Sequence, residues 1–334
     1  MTDTARGAND VAKRRQRWLT KTQSLLASGW ALYVGFVLLV IILAIFSPQN
    51  AAGEPIFLNP ANLANIGRQT ALVSIIAVGM TLVIIAGEFD LSVGSVLALA
   101  GVTAALAMKE IGDVWYIGAI AALAVGAFFG LVNGALTTRL AIPSFLVTLG
   151  TLSVARGLAL LVTGTRPVNI LDETYYQVFA EGDILGIPMA IVWTIVVAAG
   201  GIVVLHFSTF GRRIYATGGN TTAARYTGIN TKLVKTATLV TTGVLAAIAA
   251  LVLSARSHAA RPDAAAGIEL DAIAAVILGG AALSGGRGTI IGALVGSLLI
   301  GVLNNGLNLM GVDPSLQLTV KGAIIWFAVA LSRR

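Results

Sequence analysis

The sequence has 334 residues, of which 57% are hydrophobic and only 11% are charged, and its formal net charge is +7. Soluble domains carry about 25% charged residues, so the composition predicts a membrane protein. Absence of cysteine excludes disulfides and thiolate metal sites, and two histidines far apart, His206 and His258, make a histidine metal site improbable. The basic charge follows a membrane topology and does not indicate nucleic-acid binding.

Ten apolar runs follow one another along the chain, most of them near the roughly 20 residues that a helix needs to cross a bilayer. A basic stretch precedes the first run, which we interpret as a retained helix because no clear signal-peptide cleavage site follows it. The eighth run is short and ends at Gly279 and Gly280, so a partial span, and nine full ones, is the alternative. The predicted spans are 30–46, 68–86, 91–108, 115–136, 144–163, 187–206, 233–253, 271–283, 289–308 and 316–331.

The basic residues are distributed unevenly between the two sides of the membrane that ten crossings define. With the N-terminus inside, fifteen Lys and Arg lie inside and five lie outside, which is the positive-inside pattern. The sequence therefore predicts an all-α membrane protein, a polytopic bundle of about ten transmembrane helices with both termini cytoplasmic. Residues 1–28 form a basic cytoplasmic segment and residues 29–334 form the transmembrane domain.

Two hydrophilic segments separate the spans. Residues 164–186, outside, are net acidic and contain aromatic residues, so they either receive another protein or form a solvated loop. Residues 207–232, inside, are basic and contain "GGNTTAARYTG", in which Asn220 caps a short helix that ends near Gly228. A loop of this length with its own helix favours a function, and positive-inside charge alone is the alternative.

Several polar residues fall within the predicted spans. Their amides and hydroxyls suit an uncharged polyhydroxy solute, because each can donate and accept hydrogen bonds, but such groups also hold helices together. Arg156 either lines a pathway or gate, or is a snorkelling or structurally paired residue, and Lys321 favours snorkelling. The candidates for a translocation pathway are Asn133, Thr148, Arg156, Asn304 and Asn305.

The stretch "AGEFDLSVG" places two carboxylates between apolar runs. Asp90 directly precedes the third predicted span, and we predict that it is the N-cap, accepting a hydrogen bond from the backbone N–H of Ser92 or Val93. Glu88 is either solvated or reaches Arg287. Carboxylates two positions apart do not share a helix face, which argues against a catalytic pair.

A glycine pattern, G-x3-L-S-x-G, occurs twice, starting at Gly87 and at Gly279. Duplicated halves are common in transporters, although a chain with 38 glycines can also match by chance. The second copy lies in "GGAALSGGRGT", which lacks the G-K-[ST] of a phosphate loop. We therefore predict a tight turn there and no ATP hydrolysis by this chain.

Five stretches occur in register: "GEFDLSVGSVLALAG", "IPSFLVTLGTLSVARGLALLVTG", "FGRRIYATGGNTTAARYTGIN", "LDAIAAVILGGAALSGGRGTIIGALVG" and "VKGAIIW". Together they resemble the permease subunits of ribose/xylose/galactose-type ABC sugar importers, over nearly the whole chain beyond the first helix. Positions 88 and 89 depart from this resemblance, because the family usually has Gly and Ile there.

The resemblance implies a subunit that binds no cofactor itself and works with a cytoplasmic ATP-binding subunit, which uses the ATP. A periplasmic or lipid-anchored sugar-binding protein delivers the sugar, and the permease pairs as a homodimer or heterodimer. Residues 207–232 correspond to the coupling loop for the ATPase, with Asn220, Ala223, Ala224, Arg225 and Gly228 matching the pattern.

The leading hypothesis is a permease subunit in the bacterial inner membrane that moves a neutral monosaccharide or sugar alcohol inward. An ion-coupled secondary carrier or channel that works without an ATPase is the alternative, with Glu88, Asp90, Arg156 and Lys321 as its charged groups. An intramembrane enzyme using Glu88 and Asp90 is a third hypothesis, which the spacing of the two acids disfavours.

Overall fold

The computed structural model describes residues 30–49, 53–112, 114–313, 315–320, 322–323 and 326. Its fold is helical. The main helices are α1 (Trp30–Phe46), α2 (Pro60–Ile85), α3 (Val93–Ile111), α4 (Trp115–Arg139), α5 (Ser144–Thr163), α6 (Glu173–Tyr176), α7 (Met189–Ile202), α8 (Thr209–Gly219), α9 (Thr221–Tyr226), α10 (Thr231–Ser257), α11 (Ile268–Leu278) and α12 (Ile290–Leu309).

Short irregular elements connect these helices. The π-helical turn Gln177–Glu181 extends α6, the π-helical turn Val203–Phe207 extends α7, and Ile56–Leu58 is a 3-10 turn. Among the described residues, four two-residue strands form two antiparallel pairs, β1 (Val168–Asn169) with β4 (Ala259–Ala260) and β2 (Asp183–Ile184) with β3 (Ile187–Pro188).

Seven helices in the described part of the chain are long and apolar enough to cross a bilayer: α2, α3, α4, α5, α7 with its π-helical extension, α10 and α12. They correspond to the second to seventh and the ninth predicted spans. The first predicted span forms α1, which is apolar but shorter. Most of the tenth span, Lys321 and the basic segment 1–28 lie outside the described residues.

Helices α2, α3 and α10 form the centre of the bundle, and most of α2 is buried. Glycines allow α4 to lie directly on α10: a Cβ atom placed on Gly126 would be 2.2 Å from the carbonyl oxygen of Gly243. This backbone contact is the small-residue packing expected of membrane helices. Helix α5 packs against α3 and α4 through one face, and its opposite face is exposed.

The bundle has two distinct ends. At the α9 end, defined by α8 and α9, the backbone N–H of Gly286 donates to the carbonyl oxygen of Ile85 at 2.9 Å, and Tyr215 Oη donates to the carbonyl oxygen of Gly288. At the strand end, defined by β1 and β4, the ring of Tyr176 stacks on that of His258. The main helices alternate in direction between these two ends.

Helix α11 explains the short eighth run. The chain leaves α10 at the strand end, follows α3 as an irregular loop, residues 261–267, and only then becomes helical. The loop contains Pro262 and Gly267, and Ala265 has a φ of 56°, so the chain becomes helical only at Ile268, just before the run begins, and the helix ends at Leu278, within the run. With 11 residues, α11 is about 16 Å long, roughly half of a 30 Å hydrocarbon core. The partial span is therefore the alternative that the structure favours.

Candidate functional site

The segment between α2 and α3, residues 87–92, is an irregular strap that runs into the bundle. Gly87, with a φ of 81°, ends α2. The backbone N–H of Phe89 then donates to Ser144 Oγ at 3.0 Å, and that of Leu91 donates to Thr148 Oγ1 at 3.1 Å. Because Ser144 and Thr148 are about one turn apart on α5, the strap lies along α5, and its backbone is satisfied by hydroxyl groups.

Asp90 lies in the middle of the strap and is 1% exposed. Its Oδ1 accepts hydrogen bonds from the backbone N–H of Ser92 at 2.9 Å and from Ser92 Oγ at 2.6 Å. The predicted bond from the Ser92 N–H is thus present. The predicted cap position is wrong, however, because α3 begins at Val93 and its N-cap is Ser92. The helix starts later than expected because the chain is still irregular at position 91, where the backbone N–H is bound by Thr148.

A chain of hydrogen bonds continues from Asp90 across α4 to α5. Asn133 Nδ2 donates to Ser92 Oγ at 2.9 Å, and Thr151 Oγ1 donates to Asn133 Oδ1 at 2.6 Å. Asn133 and Thr148 are fully buried. Both bind protein groups, so in this conformation they hold segments of the bundle together. This is the structural role that the sequence analysis gave as the alternative to lining a pathway.

Glu88 is neither solvated nor bound to Arg287, in contrast to both predicted alternatives. Its Oε1 lies 2.5 Å from Nζ of Lys235 on α10, and the two side chains are only 11% and 19% exposed. The strap turns inward immediately after α2, which directs Glu88 toward the second turn of α10. The pair joins the strap to α10.

Arg156, on α5, holds the irregular loop before α11. Its Nη1 donates to the carbonyl oxygens of Pro262 at 2.7 Å and Ala264 at 2.8 Å. The carboxylate of Glu269, in the first turn of α11, interacts with it electrostatically. Buried carbonyl oxygens without helical partners need such donors, so Arg156 is a structurally paired residue that also stabilises a non-helical segment within the bundle.

Asn304 and Asn305 lie apart from this polar region, on α12. The side-chain amides of Asn305 and Asn62 exchange two hydrogen bonds, at 3.0 and 2.9 Å, and join α12 to α2. Asn304 Oδ1 is buried and has no hydrogen-bond partner within the described residues. The structure therefore does not bring these two asparagines together with Asn133, Thr148 and Arg156.

A cavity of about 260 Å³ lies between α3, α10 and the loop that Arg156 holds. Its walls are mainly apolar, and its polar groups come from Ser254, Ser257 and Arg261. Gly101 lines it on the α3 side. Ligand pockets for drug-sized molecules are roughly 300–1,000 Å³, so this volume suits a small solute.

The predicted short helix at the α9 end is present as α9. Asn220 Oδ1 accepts from the backbone N–H of Ala223 at 2.9 Å, and Gly228, with a φ of 86°, turns the chain away after the helix. Ala224 is buried against the bundle, whereas Ala223 is exposed. Arg225 Nε donates to Thr231 Oγ1 at 2.9 Å, which fixes α9 to the start of α10.

The sequence analysis did not single out four residues of the strap's polar surroundings and of α9. They are Ser144, Thr151, Lys235 and Tyr226. Tyr226, at the end of α9, is 89% exposed, which is unusual for a large aromatic side chain. The hydroxyl groups at positions 144, 148 and 151 have helical spacing and share one face of α5, a signal that was readable in the sequence. No sequence signal pairs Lys235 with Glu88.

A bundle of membrane-crossing helices with irregular buried segments at two depths is the architecture of a polytopic transport protein. Residues 62–329 match the family described as branched-chain amino acid transport system / permease component, and the chain belongs to this family. It is a permease subunit of an ABC importer of the inner membrane, a transport component and not an enzyme. Membership implies an ATPase and a substrate-binding protein as partners.

Several relatives have sugar-import names. The chain is 43% identical to the ribose import permease protein RbsC of Bacillus subtilis (strain 168), over 90% of this chain and 92% of that protein. It is 39% identical to the protein of the same name from Escherichia coli (strain K12), over 95% of both chains. It is 36% identical to the D-allose transport system permease protein AlsC of Escherichia coli (strain K12), over 91% and 92%.

The hydrogen bonds of Asp90 predict how substitutions there affect transport. Asp90→Asn keeps an acceptor oxygen for the Ser92 N–H and hydroxyl, so we expect uptake to stay within about threefold of the unsubstituted complex. Asp90→Leu leaves those buried donors unpaired at a cost of about 1–3 kcal/mol each, and we expect a loss of more than tenfold. Uptake of substrate into vesicles, normalised to the amount of complex, measures both. Equal losses in the two variants would show that the charge is required.

Proposed function

We propose that this permease carries a neutral monosaccharide or sugar alcohol inward, with ribose as the first candidate. The observation that carries the proposal is the 43% identity to a ribose import permease across nearly the full length of both chains. The small cavity between α3 and α10 suits a solute of this size. The one full charge on its wall, Arg261, is paired with Asp263 at 2.9 Å.

We further infer that the α9 end is cytoplasmic and that the strand end faces outward, as the positive-inside distribution requires. Both termini are then cytoplasmic, and about ten helical segments build the transmembrane domain, residues 29–334, after the basic segment 1–28. The external loop 164–186, which carries α6, β1 and β2, is the surface offered to the sugar-binding protein. Two permease subunits, alike or different, form the transport pathway between them.

The test of this function is uptake by a reconstituted complex. The permease, purified with its ATP-binding subunit and placed in vesicles, should take up ribose supplied with the binding protein when ATP is inside. The purified permease alone should hydrolyse no ATP, because the ATP is bound and used by the partner subunit. Concentrative uptake that survives without ATP and is abolished by ionophores would instead establish the ion-coupled carrier.

Helix α9 is proposed as the coupling helix, with the whole segment 207–232 as the coupling loop. The buried Ala224 and the hydrogen bond from Arg225 to Thr231 hold it to the bundle. Its exposed side presents Ala223 and Tyr226, which lie three positions apart on one face. An exposed tyrosine beside a small residue is typical of an anchor that fills a groove of a partner. Movement of the ATPase would then displace α9 and the start of α10 together.

Replacing Tyr226 with alanine should therefore weaken the binding of the ATP-binding subunit without affecting the fold of the permease. Truncation of such an anchor typically costs 2 kcal/mol or more, so we expect co-purification of the ATPase to fall at least tenfold. Tyr116→Ala, at an exposed tyrosine on α4, is the matched control. Full retention of the ATPase by Tyr226→Ala would remove α9 from the interface.

Arg156 is proposed to keep the outer wall of the cavity closed until the sugar arrives. Ala265 has a left-handed backbone conformation, which costs a non-glycine residue about 1–2 kcal/mol, and the two hydrogen bonds from Arg156 hold the loop in that state.

Loss of those bonds should alter transport in a graded way. Arg156→Met removes both donors, and we expect ribose uptake to fall more than tenfold, whereas Arg156→Lys, which retains a charge and donors, should lose less. Arg166→Met, in the external loop, is the control for removal of a cation. Wild-type uptake in Arg156→Met would show that the loop needs no such support.

A further inference from the structure

The ion pair between Glu88 and Lys235 connects two segments that are far apart in the sequence. Glu88 belongs to the strap between α2 and α3, and Lys235 lies on α10, 147 positions later. Their charged atoms are 2.5 Å apart, and both side chains are largely withdrawn from solvent. In such surroundings the attraction between the two charges is stronger than at a surface, and removal of one partner leaves the other as an unpaired, partly buried charge.

On one side, the pair leads to α9. Lys235 follows Thr231 by one helical turn, and Thr231 Oγ1 accepts the hydrogen bond from Arg225 of α9. Asn230 Oδ1 caps the first turn of α10 by accepting from the N–H of Leu233 at 3.0 Å. The last turn of α9 and the first turns of α10 are therefore one rigid unit, and Lys235 moves with it.

On the other side, the pair leads to the buried polar network. Glu88 is followed at once by Phe89, whose N–H is bound by Ser144, and by Asp90, which binds Ser92. The strap is six residues long, and both of its ends continue directly into helices. A displacement of Glu88 therefore shifts the hydrogen bonds of Phe89 and Asp90 as well. The hydrogen bond that Asn133 Nδ2 donates to Ser92 Oγ is the next contact affected.

We propose that the Glu88–Lys235 ion pair transmits the movement of α9 to the strap, and so links ATPase closure to the state of the buried polar network. Glu88 and Lys235 are positioning residues in this role, since they act through the strap and α9. The inference rests on the proposed role of α9 as the coupling helix. It adds to it the route by which the movement enters the membrane part of the bundle.

The experiment compares the reconstituted complexes of wild type, Glu88→Gln, Lys235→Met and the exchanged pair E88K/K235E. For each, ATP hydrolysis with and without binding protein and sugar, and sugar uptake, are measured in the same vesicles. Lys109→Met, which removes an exposed lysine in the last turn of α3, is the control. The amount of assembled complex recovered after purification reports folding and ATPase binding independently of transport.

We expect the single variants to assemble with the ATPase and to retain basal hydrolysis, while uptake per ATP hydrolysed falls at least fivefold. The exchanged pair, which restores opposite charges, should recover to within about twofold. Unchanged uptake per ATP in both single variants would overturn the proposal. Loss of assembled complex in step with uptake, or an exchanged pair that assembles without recovering, would also overturn it, because the pair would then be a structural brace.

Failure of the underlying function gives a different result. If the chain is not driven by the ATPase, the wild-type complex itself shows no ATP-dependent uptake. If α9 is not the coupling helix, Tyr226→Ala keeps its ATPase and its uptake. If only the ion pair is wrongly assigned, both of those tests succeed and the charge variants alone behave as wild type.

Discussion

The structure depends on one constraint: backbone polar groups that leave a helix inside a membrane bundle must find partners in the protein. The strap at residues 87–92 and the loop at residues 261–267 are both non-helical within the bundle. An unpaired amide in hydrocarbon costs several kcal/mol, so each segment has its own donors or acceptors. The N–H groups of the strap are bound by Ser144 and Thr148, and the carbonyl groups of the loop by Arg156.

These partners come from a single helix. Along α5, Ser144 and Thr148 bind the strap, and Arg156 binds the loop. Thr151 lies between them and binds Asn133 of α4. Helix α5 is otherwise peripheral and exposes its opposite face. A tilt or shift of α5 would therefore disturb the strap and the loop together, because its two sets of hydrogen bonds are rigidly spaced. This links events at the α9 end with events at the cavity near the strand end.

The sequence was sufficient for what local patterns control, and insufficient where distant residues meet. Hydropathy and charge predicted the helices and their order, and Asn220 with Gly228 predicted α9, because caps and turns are local. The predicted N-cap of α3, Asp90, is two residues before the observed one, Ser92. The strap continues to that point because hydroxyl groups of α5 bind its backbone. The Glu88–Lys235 pair was missed entirely, because nothing near either residue determines which helix lies opposite.

The glycine pattern that occurs twice acquires a physical meaning from the α9 end. A Cβ atom on Gly87, the first glycine of the first copy, would lie 3.7 Å from the Cα of Gly218 in the last turn of α8. One on Gly286, the last glycine of the second copy, would lie 2.7 Å from the Cα of Gly219. Both turns therefore pack on the end of α8 largely through backbone atoms, and the backbone N–H of Gly286 donates to the carbonyl oxygen of Ile85. Side chains between them would absorb a displacement by changing rotamer, whereas backbone contacts do not yield in this way. The end of α2, the α11–α12 turn and α8 are therefore packed so closely that one of them has little room to shift without the others.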